Sequence, residues 1–139
     1  RFAHDLLPPV LEKFGLDAAI SELGVEFNSS KVVTVYYENN IQFDTIEESK
    51  HLHIFRILQE LMNNSLRHGK AKNISLVFNV EGDKNVCVYS DNGLGFDTTN
   101  ANNQKGLGMK NIQSRVDLIN AIITINSALN KGFKAKIVF

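Results

Sequence analysis

The most informative stretch of this sequence reads Glu60-Leu-Met-Asn-Asn64-Ser-Leu-Arg67-His68. It belongs to a longer run, residues 49–69, whose apolar side chains recur at the spacing of an amphipathic helix. The spacing of four between Glu60, Asn64 and His68 places them along one stripe of that helix, with Arg67 beside them. Many solvent-facing helices carry such a stripe, but asparagine is a poor helix former and needs a local reason to be there.

The chemistry of this stripe suits a metal ion and a phosphate chain. Mg²⁺ prefers oxygen ligands and is usually held by one or two protein groups together with phosphates and waters. Asn64 can offer one neutral oxygen, and Glu60, one turn earlier, can orient or deprotonate a nucleophile. Arg67 and His68 can neutralise phosphate oxygens.

Two glycine motifs follow in order along the chain. Asp91-Asn-Gly93-Leu-Gly95 follows a β-rich run, and Lys105-Gly106-Leu-Gly108-Met109 precedes a helical run. A strand-end aspartate can accept a hydrogen bond from the amine of adenine, and glycines let backbone approach a flat ring closely. Backbone N–H groups at a helix N-terminus attract phosphate, and Lys105 adds a positive charge there. The motif from Asp91 to Gly95 is by itself a common turn, and the motif at Gly106–Gly108 is by itself weak evidence. The nucleotide site is therefore indicated by the order of three motifs: the helix stripe first, the aspartate motif second and the Gly106 motif third.

Composition restricts the other classes of function. The 139 residues fit one domain, and 15 basic against 15 acidic side chains give no electrostatic reason to expect nucleic-acid or membrane-surface binding. No apolar run in the sequence is long enough to span a bilayer. The single cysteine, Cys87, excludes an internal disulfide and is expected in the core of a strand.

Periodicity and turn signals predict an α+β fold, a two-layer α/β sandwich with a mixed, mostly antiparallel sheet and helices packed on one face. A tight turn at 81–84 predicts a hairpin, and Asp17 is expected to cap a helix. The predicted helices are 18–28, 49–69 and 110–120, the predicted strands are 31–37, 73–80, 85–90, 121–126 and 133–139, and residues 92–107 are a predicted loop.

With these motifs the sequence resembles the ATP-binding catalytic domain of a sensor histidine kinase, in the GHKL ATPase superfamily. The stretch from Glu60 to His68 resembles the N box of that family. Asp91-x-Gly93-x-Gly95 resembles the next box, and Gly106-x-Gly108-Met109 resembles the glycine box that follows the ATP lid. The neighbouring residues 55–60 and 106–112 are most similar to the nitrate-sensor or desaturase-sensor type of these kinases.

The resemblance implies ATP and Mg²⁺ as cofactors and assigns roles to residues. By it, Asn64 holds Mg²⁺, Glu60 assists phosphoryl transfer, Asp91 reads the adenine amine, and residues 96–107 form a short lid. The family usually has Gly-Thr leading into the last strand, whereas this chain has Gly132-Phe133. The other ATP contacts implied are Arg67, His68, Gly93, Gly95, Phe96, Lys105, Gly106, Leu107, Gly108 and Met109.

The same resemblance implies a division of the chain and a set of partners. Residues 1–16 are expected to be the remnant of a connection to a dimerisation and phosphoacceptor hairpin, and residues 17–139 to be the catalytic domain. His4 precedes an acidic residue, but Pro8-Pro9 would break the helix, so His4 is not expected to accept phosphate. The acceptor is expected to be a histidine on a separate dimerisation domain of the same protein, which then serves a response regulator. The fragment is expected to be monomeric and cytoplasmic, and membrane anchorage of the whole sensor stays open.

Two alternatives use the same motifs. One is a GHKL serine kinase acting on an anti-sigma antagonist, and the other is a nucleotide-binding regulatory module without catalysis. The presence of both Glu60 and Asn64 argues against a decayed site. His51 and His53 are expected on the surface, and the four histidines and Cys87 show no metal-ligand spacing.

Overall fold

The structure is a computed structural model that describes residues 6–96 and 108–139. None of the helices in these two ranges is long and apolar enough to cross a bilayer. Two short 3₁₀ turns, Phe43–Thr45 and Glu48–Lys50, lead into the longest helix. The helices are α1 (Pro9–Phe14), α2 (Leu16–Ser29), α3 (His51–Arg67) and α4 (Met109–Leu118), and the strands are β1 (Thr34–Asn39), β2 (Asn73–Glu81), β3 (Lys84–Asp91), β4 (Ile122–Ser127) and β5 (Phe133–Val138).

The five strands form one sheet in the order β1-β2-β3-β5-β4. β1 pairs with β2 in parallel, and all the other neighbours are antiparallel. The parallel pair needs a long crossover, and that connection contains α3. The predicted mixed, mostly antiparallel sheet is confirmed.

The core lies between one face of the sheet and the helices. Alternate residues of the central strands are buried, as Leu76 and Phe78 show in β2 and Cys87 in β3. They join a single apolar cluster with Leu58 of α3 and Ile20 of α2. The predicted two-layer sandwich with helices on one face is therefore confirmed.

The β2–β3 hairpin determines where the strand-end aspartate lies. Glu81 pairs with Lys84, so the turn consists of Gly82, which has φ 62°, and one further residue. From this turn the antiparallel register runs back to Asp91, which pairs with Ile74 at the other end of the hairpin. The predicted tight turn is confirmed, and the register that it sets fixes the position of Asp91 along the strand.

The first strand begins three residues later than its β-branched sequence predicts. The predicted strand was 31–37, whereas β1 spans Thr34–Asn39. Lys31 has φ 61° in the turn after α2, and pairing with β2 starts only where Thr34 meets Asn73. β-propensity marks a segment that suits a sheet, but the partner strand decides where pairing begins.

The prediction that Asp17 caps a helix is wrong. α2 begins at Leu16, its N-cap residue is Gly15, and no side chain caps it. Asp17 Oδ1 instead accepts a hydrogen bond of 2.7 Å from the hydroxyl of Tyr37. The carboxylate therefore joins α2 to β1, and burial together with this bond raises the pKa of Tyr37.

Burial of Cys87 predicts a protected thiol. Its side chain is fully buried in the core, and desolvation raises the pKa of the thiol, so the reactive thiolate is scarce even at pH 8. We expect Ellman's reagent to leave the native domain unlabelled at pH 8 and to label one thiol per chain in urea. Asn79→Cys, at an exposed position of β2, provides a control thiol that should react at once. Native labelling of Cys87 at the rate of that control would contradict the buried position.

Candidate functional site

The polar stripe of α3 changes from half-buried to exposed along its length. Glu60 and Asn64 are half-buried, and the side-chain oxygen Oδ1 of Asn64 is buried. Arg67 and His68 are exposed at the end of the helix. The backbone N–H groups of His68 and Gly69 both donate to the carbonyl of Asn64 at 2.9 Å, which ends α3 at this point. The stripe predicted from spacing is present, and its first half is not a freely solvated face.

The loop that follows β3 packs against the end of α3. The N–H of Leu94 donates to the carbonyl of Gly69 at 2.7 Å. A Cβ added to Gly93 would lie 2.5 Å from the same carbonyl oxygen, so a larger residue does not fit. Gly95 has φ 66°, and an added Cβ would lie 2.5 Å from the carbonyl oxygen of Ala128 in the β4–β5 turn. The glycines of the second motif thus allow backbone to approach backbone.

Asp91 lies at the end of β3 with both carboxylate oxygens hydrogen-bonded. Oδ1 accepts from the N–H of Gly93 at 2.8 Å, and Oδ2 accepts from the hydroxyl of Ser65 at 2.5 Å. The Ser65 hydroxyl also contacts the hydroxyl of Tyr89, which donates to the carbonyl of Leu61 at 3.0 Å. Burial raises the pKa of Tyr89, which keeps this phenol a neutral donor.

Ser65 and Tyr89 are site residues that sequence reasoning missed. Ser65 is four residues after Leu61 and three after Met62, which places it on the apolar side of α3 rather than in the polar stripe. A hydroxyl at a core-facing position needs a hydrogen-bond partner, and that mismatch was the available signal. Nothing in the sequence indicates that the partner is Asp91.

The third motif meets the first where α4 begins. Gly108 is the N-cap residue of α4 and has the left-handed conformation, with φ 67°. A Cβ added to it would lie 2.9 Å from Glu60 Oε2, so α4 begins directly beside this carboxylate. A polar cavity of about 80 Å³ adjoins Glu60 between α3 and α4. Its other lining residues are Arg56, Ile57, Gln59, Asn111, Ile112 and Arg115.

Some of the remaining predicted ATP contacts lie within the described residues, and the others do not. Phe96 is buried and stacks on Phe133, with ring centroids 5.7 Å apart and an interplanar angle of 25°. Phe133, the residue that follows Gly132, thus packs its ring on aromatic neighbours. Met109 is half-buried and packs against the core. Lys105, Gly106 and Leu107, the predicted lid from residue 97 onward, and His4 lie outside the described residues.

The prediction that His51 and His53 are surface residues is wrong, because both side chains are half-buried. His51 Nε2 lies 3.1 Å from the carbonyl oxygen of Phe43 and 3.0 Å from that of Ile46, because the first 3₁₀ turn and the residue after it lie against the start of α3. His53 Nδ1 lies 3.0 Å from a guanidinium nitrogen of Arg115 on α4. Within residues 6–96 and 108–139, no three histidine, cysteine, aspartate or glutamate side chains gather as a metal site.

A separate groove of about 1050 Å³ lies between residues 7–17 and residues 39–52. None of the predicted site residues lines it. It is larger than the cavity beside Glu60, but cavity size alone does not locate chemistry. The convergence of the three motifs is therefore the better guide to the functional site.

The chain matches the family described as histidine kinase-, DNA gyrase B- and HSP90-like ATPases over residues 49–139. The chain therefore belongs to this ATPase family, and it is an ATPase domain of the histidine kinase type. The matched range includes all three motifs, from the stripe on α3 to the glycine motif before α4.

Curated relatives support the histidine kinase type. The chain is 30% identical over 130 residues to sensor histidine kinase MctS of Rhizobium johnstonii, covering 92% of this chain and 28% of that protein. It is 27% identical to sensor histidine kinase ComP of Bacillus subtilis, covering 96% of the chain and 18% of that protein. It is 25% identical to oxygen sensor histidine kinase NreB of Staphylococcus carnosus, covering 92% and 37%. The chain thus spans between 18% and 37% of the length of these three relatives.

Solved structures share the fold at low sequence identity. The blue-light activated histidine kinase EL346 of Erythrobacter litoralis superposes with a TM-score of 0.71 at 16% identity, covering 86% of this chain and 40% of that one. Histidine kinase AdeS of Acinetobacter baumannii superposes with a TM-score of 0.69 at 13% identity, covering 94% and 71%. The predicted GHKL type of sandwich is confirmed.

Gly95 and Gly82 form a matched pair that tests the close packing of the second motif. Their φ angles are 66° and 62°, but a Cβ on Gly82 would meet nothing within 4 Å. Gly82→Ala should therefore cost only the left-handed strain, about 1–2 kcal/mol. Gly95→Ala should lower the free energy of unfolding by a further ~1–3 kcal/mol because of overpacking. Urea unfolding of both variants measures the difference, and equal losses would mean that the loop does not pack as described.

Proposed function

We propose that this domain binds Mg·ATP and passes the γ-phosphoryl group to a histidine on a separate dimerisation domain, in two-component signal transduction. One observation carries the proposal: segments far apart in the sequence meet around α3. Asp91 accepts a hydrogen bond from Ser65 of α3, and Gly108 lies against Glu60. Membership of the ATPase family supports ATP as the nucleotide.

Asp91 is proposed to select adenine. Each of its oxygens accepts one hydrogen bond from the protein, and each retains lone-pair capacity for a further donor. The amine at position 6 of adenine is a donor, whereas guanine presents an acceptor there. An ionised carboxylate held in this orientation therefore favours ATP over GTP.

Asn64 is proposed to hold Mg²⁺ through Oδ1. An amide oxygen is a suitable ligand for this ion, and the described residues offer no cluster of acidic side chains that would replace it. Phosphate oxygens and waters would then complete the coordination. When bound, the ion would neutralise charge on the phosphate chain.

Glu60 is proposed to assist the transfer. Its carboxylate lies at the start of α4, where it can hold or take the proton of the accepting imidazole. Arg67 and His68, exposed at the end of α3, are proposed to contact phosphate oxygens. The remaining predicted ATP contacts stay part of this proposal: Gly93, Gly95, Phe96, Lys105, Gly106, Leu107, Gly108 and Met109.

The wider setting follows from the sensor kinase type. Residues 1–16 are proposed to connect to the dimerisation domain, with residues 17–139 as the catalytic domain. We place the domain on the cytoplasmic side, where a response regulator would receive the phosphoryl group from the histidine. The fragment alone is proposed to be a monomer.

Asp91→Asn tests the choice of adenine. At a ligand concentration of about one hundred times Kd, binding adds ~2.7 kcal/mol to the free energy of unfolding, which raises Tm by on the order of 10 °C. We expect this rise with Mg·ATP but not with Mg·GTP, and we expect Asp91→Asn to abolish it. Asp83→Asn, the same change in the exposed β2–β3 turn, should behave as the parent. A full response to ATP in Asp91→Asn, measured against its own ligand-free Tm, would refute the adenine role.

Asn64→Ala tests the metal role. We expect the affinity of the parent domain for ATP to fall when Mg²⁺ is removed, and the affinity of Asn64→Ala to be weak and nearly independent of Mg²⁺. Asn63→Ala, at the half-buried neighbour on α3, should keep the magnesium dependence. Titration calorimetry with and without Mg²⁺ measures both. Equal magnesium dependence in Asn64→Ala would show that the ion is held elsewhere.

Glu60→Gln separates binding from transfer. In a protein that joins this domain to a histidine-bearing helical hairpin, we expect Glu60→Gln to keep the thermal response to Mg·ATP. Transfer of labelled γ-phosphate should fall by about 10²-fold or more, because the proton acceptor is lost. Label that survives acid would favour the serine kinase, since phosphohistidine is acid-labile. An unchanged transfer rate would remove Glu60 from the reaction.

A further inference from the structure

Ser65 occupies the buried side of the helix that carries the first motif. Its side chain is only 3% exposed, and it lies on the same face of α3 as Leu58 and Leu61. A buried hydroxyl without partners costs about 1–3 kcal/mol, so its presence calls for a compensating contact. The backbone carbonyl of Ser65 accepts from the N–H of Ala71 at 2.9 Å. The buried hydroxyl therefore needs a hydrogen-bond partner of its own.

The hydroxyl of Ser65 belongs to a network that ends on the carboxylate of Asp91. Ser65 Oγ donates to Asp91 Oδ2 at 2.5 Å, within the range of a bond from a hydroxyl to an ionised carboxylate. The N–H of Gly93 holds Oδ1 at 2.8 Å. Two donors, one on α3 and one in the loop, therefore hold the two oxygens of the carboxylate.

Tyr89 is the third side chain of this network. Its hydroxyl contacts Ser65 and donates to the carbonyl of Leu61, but no hydrogen bond joins Tyr89 to Asp91 within the described residues. The two hydroxyls are both buried and adjacent, yet only that of Ser65 touches the carboxylate. Phe133, whose ring lies edge-on to Tyr89 with centroids 6.0 Å apart, brings no polar atom to this place.

We propose that Ser65 is a positioning residue that sets the orientation of Asp91 for recognition of a 6-aminopurine. The inference rests on the proposed function, because it takes Asp91 as the group that reads adenine. A carboxylate that can only accept requires Ser65 to donate, and the remaining lone pairs then face a donor on the ligand. Without the hydroxyl, the carboxylate loses one of the two donors that hold it.

The test compares ATP with purine riboside triphosphate, which lacks only the 6-amino group. We expect Ser65→Ala to weaken binding of Mg·ATP about tenfold, the size of one hydrogen bond to a charged group. Binding of the analogue should change less than twofold, so the preference for ATP should collapse. Ser75→Ala, the same change at a half-buried serine of β2 outside the site, should leave both affinities within twofold. Equal weakening of both ligands in Ser65→Ala would reduce Ser65 to a structural role and overturn the inference.

Asp91→Asn separates this inference from the function on which it rests. If Asp91→Asn leaves the preference for ATP over the analogue unchanged, the adenine assignment itself fails. If Asp91→Asn removes the preference while Ser65→Ala does not, only the role of Ser65 fails. In an Asp91→Asn background, Ser65→Ala should cause no further loss of preference, because it acts through that carboxylate.

A second variant covers the case in which Ser65→Ala does not fold, as judged by circular dichroism and a cooperative melt. Ser65→Cys keeps a side chain of similar shape with a weaker donor. We expect its preference for ATP to lie between those of the parent and Asp91→Asn. A preference equal to that of the parent would overturn the inference.

Discussion

Backbone hydrogen bonding at the C-terminal end of α3 is the constraint on which the rest of the site depends. A helix leaves its last carbonyl groups without partners, and here the carbonyl of Asn64 accepts from the next turn while that of Ser65 accepts from Ala71. The carbonyl of Gly69 then accepts from Leu94, which ties the loop after β3 to the same point. The strand-end aspartate and the polar stripe are therefore held by one set of short backbone contacts, and neither can shift without breaking them.

Small residues make this arrangement possible. Gly93 and Gly95 lie where an added Cβ would meet a carbonyl oxygen, and Gly108 lies where it would meet the carboxylate of Glu60. Ser65 combines small size with a donor that reaches Asp91 from α3. The glycine motifs thus have a structural role that precedes any ligand: they allow a helix, a strand end and a second helix to pack closely against one another.

The predictions succeeded where local physics dominates. α3 and the β2–β3 hairpin were predicted to within two residues at each end, because helical periodicity and a two-residue turn are local signals. The start of β1 was missed because a strand begins where its partner allows it. Asp17 failed as a cap because α2 begins one residue before it, and its carboxylate instead accepts a hydrogen bond from Tyr37 on another element. The half-burial of His51 was missed because it also depends on a contact with another element. The preceding turn, whose carbonyl groups contact the imidazole, forms no pattern in the sequence.

The sequence by itself determined which chemical groups are available and in what order: an amide and a carboxylate on one helix, an aspartate at a strand end, and glycines before a second helix. These follow from residue identity, spacing and periodicity, all of which are local. Only the tertiary structure decided that Ser65, 26 residues from Asp91, would donate to it, and that Glu60 would lie against Gly108. The physical reason is that a hydrogen bond between distant segments depends on how helices and sheet pack, to within a fraction of an ångström, and no periodicity in the chain encodes that distance.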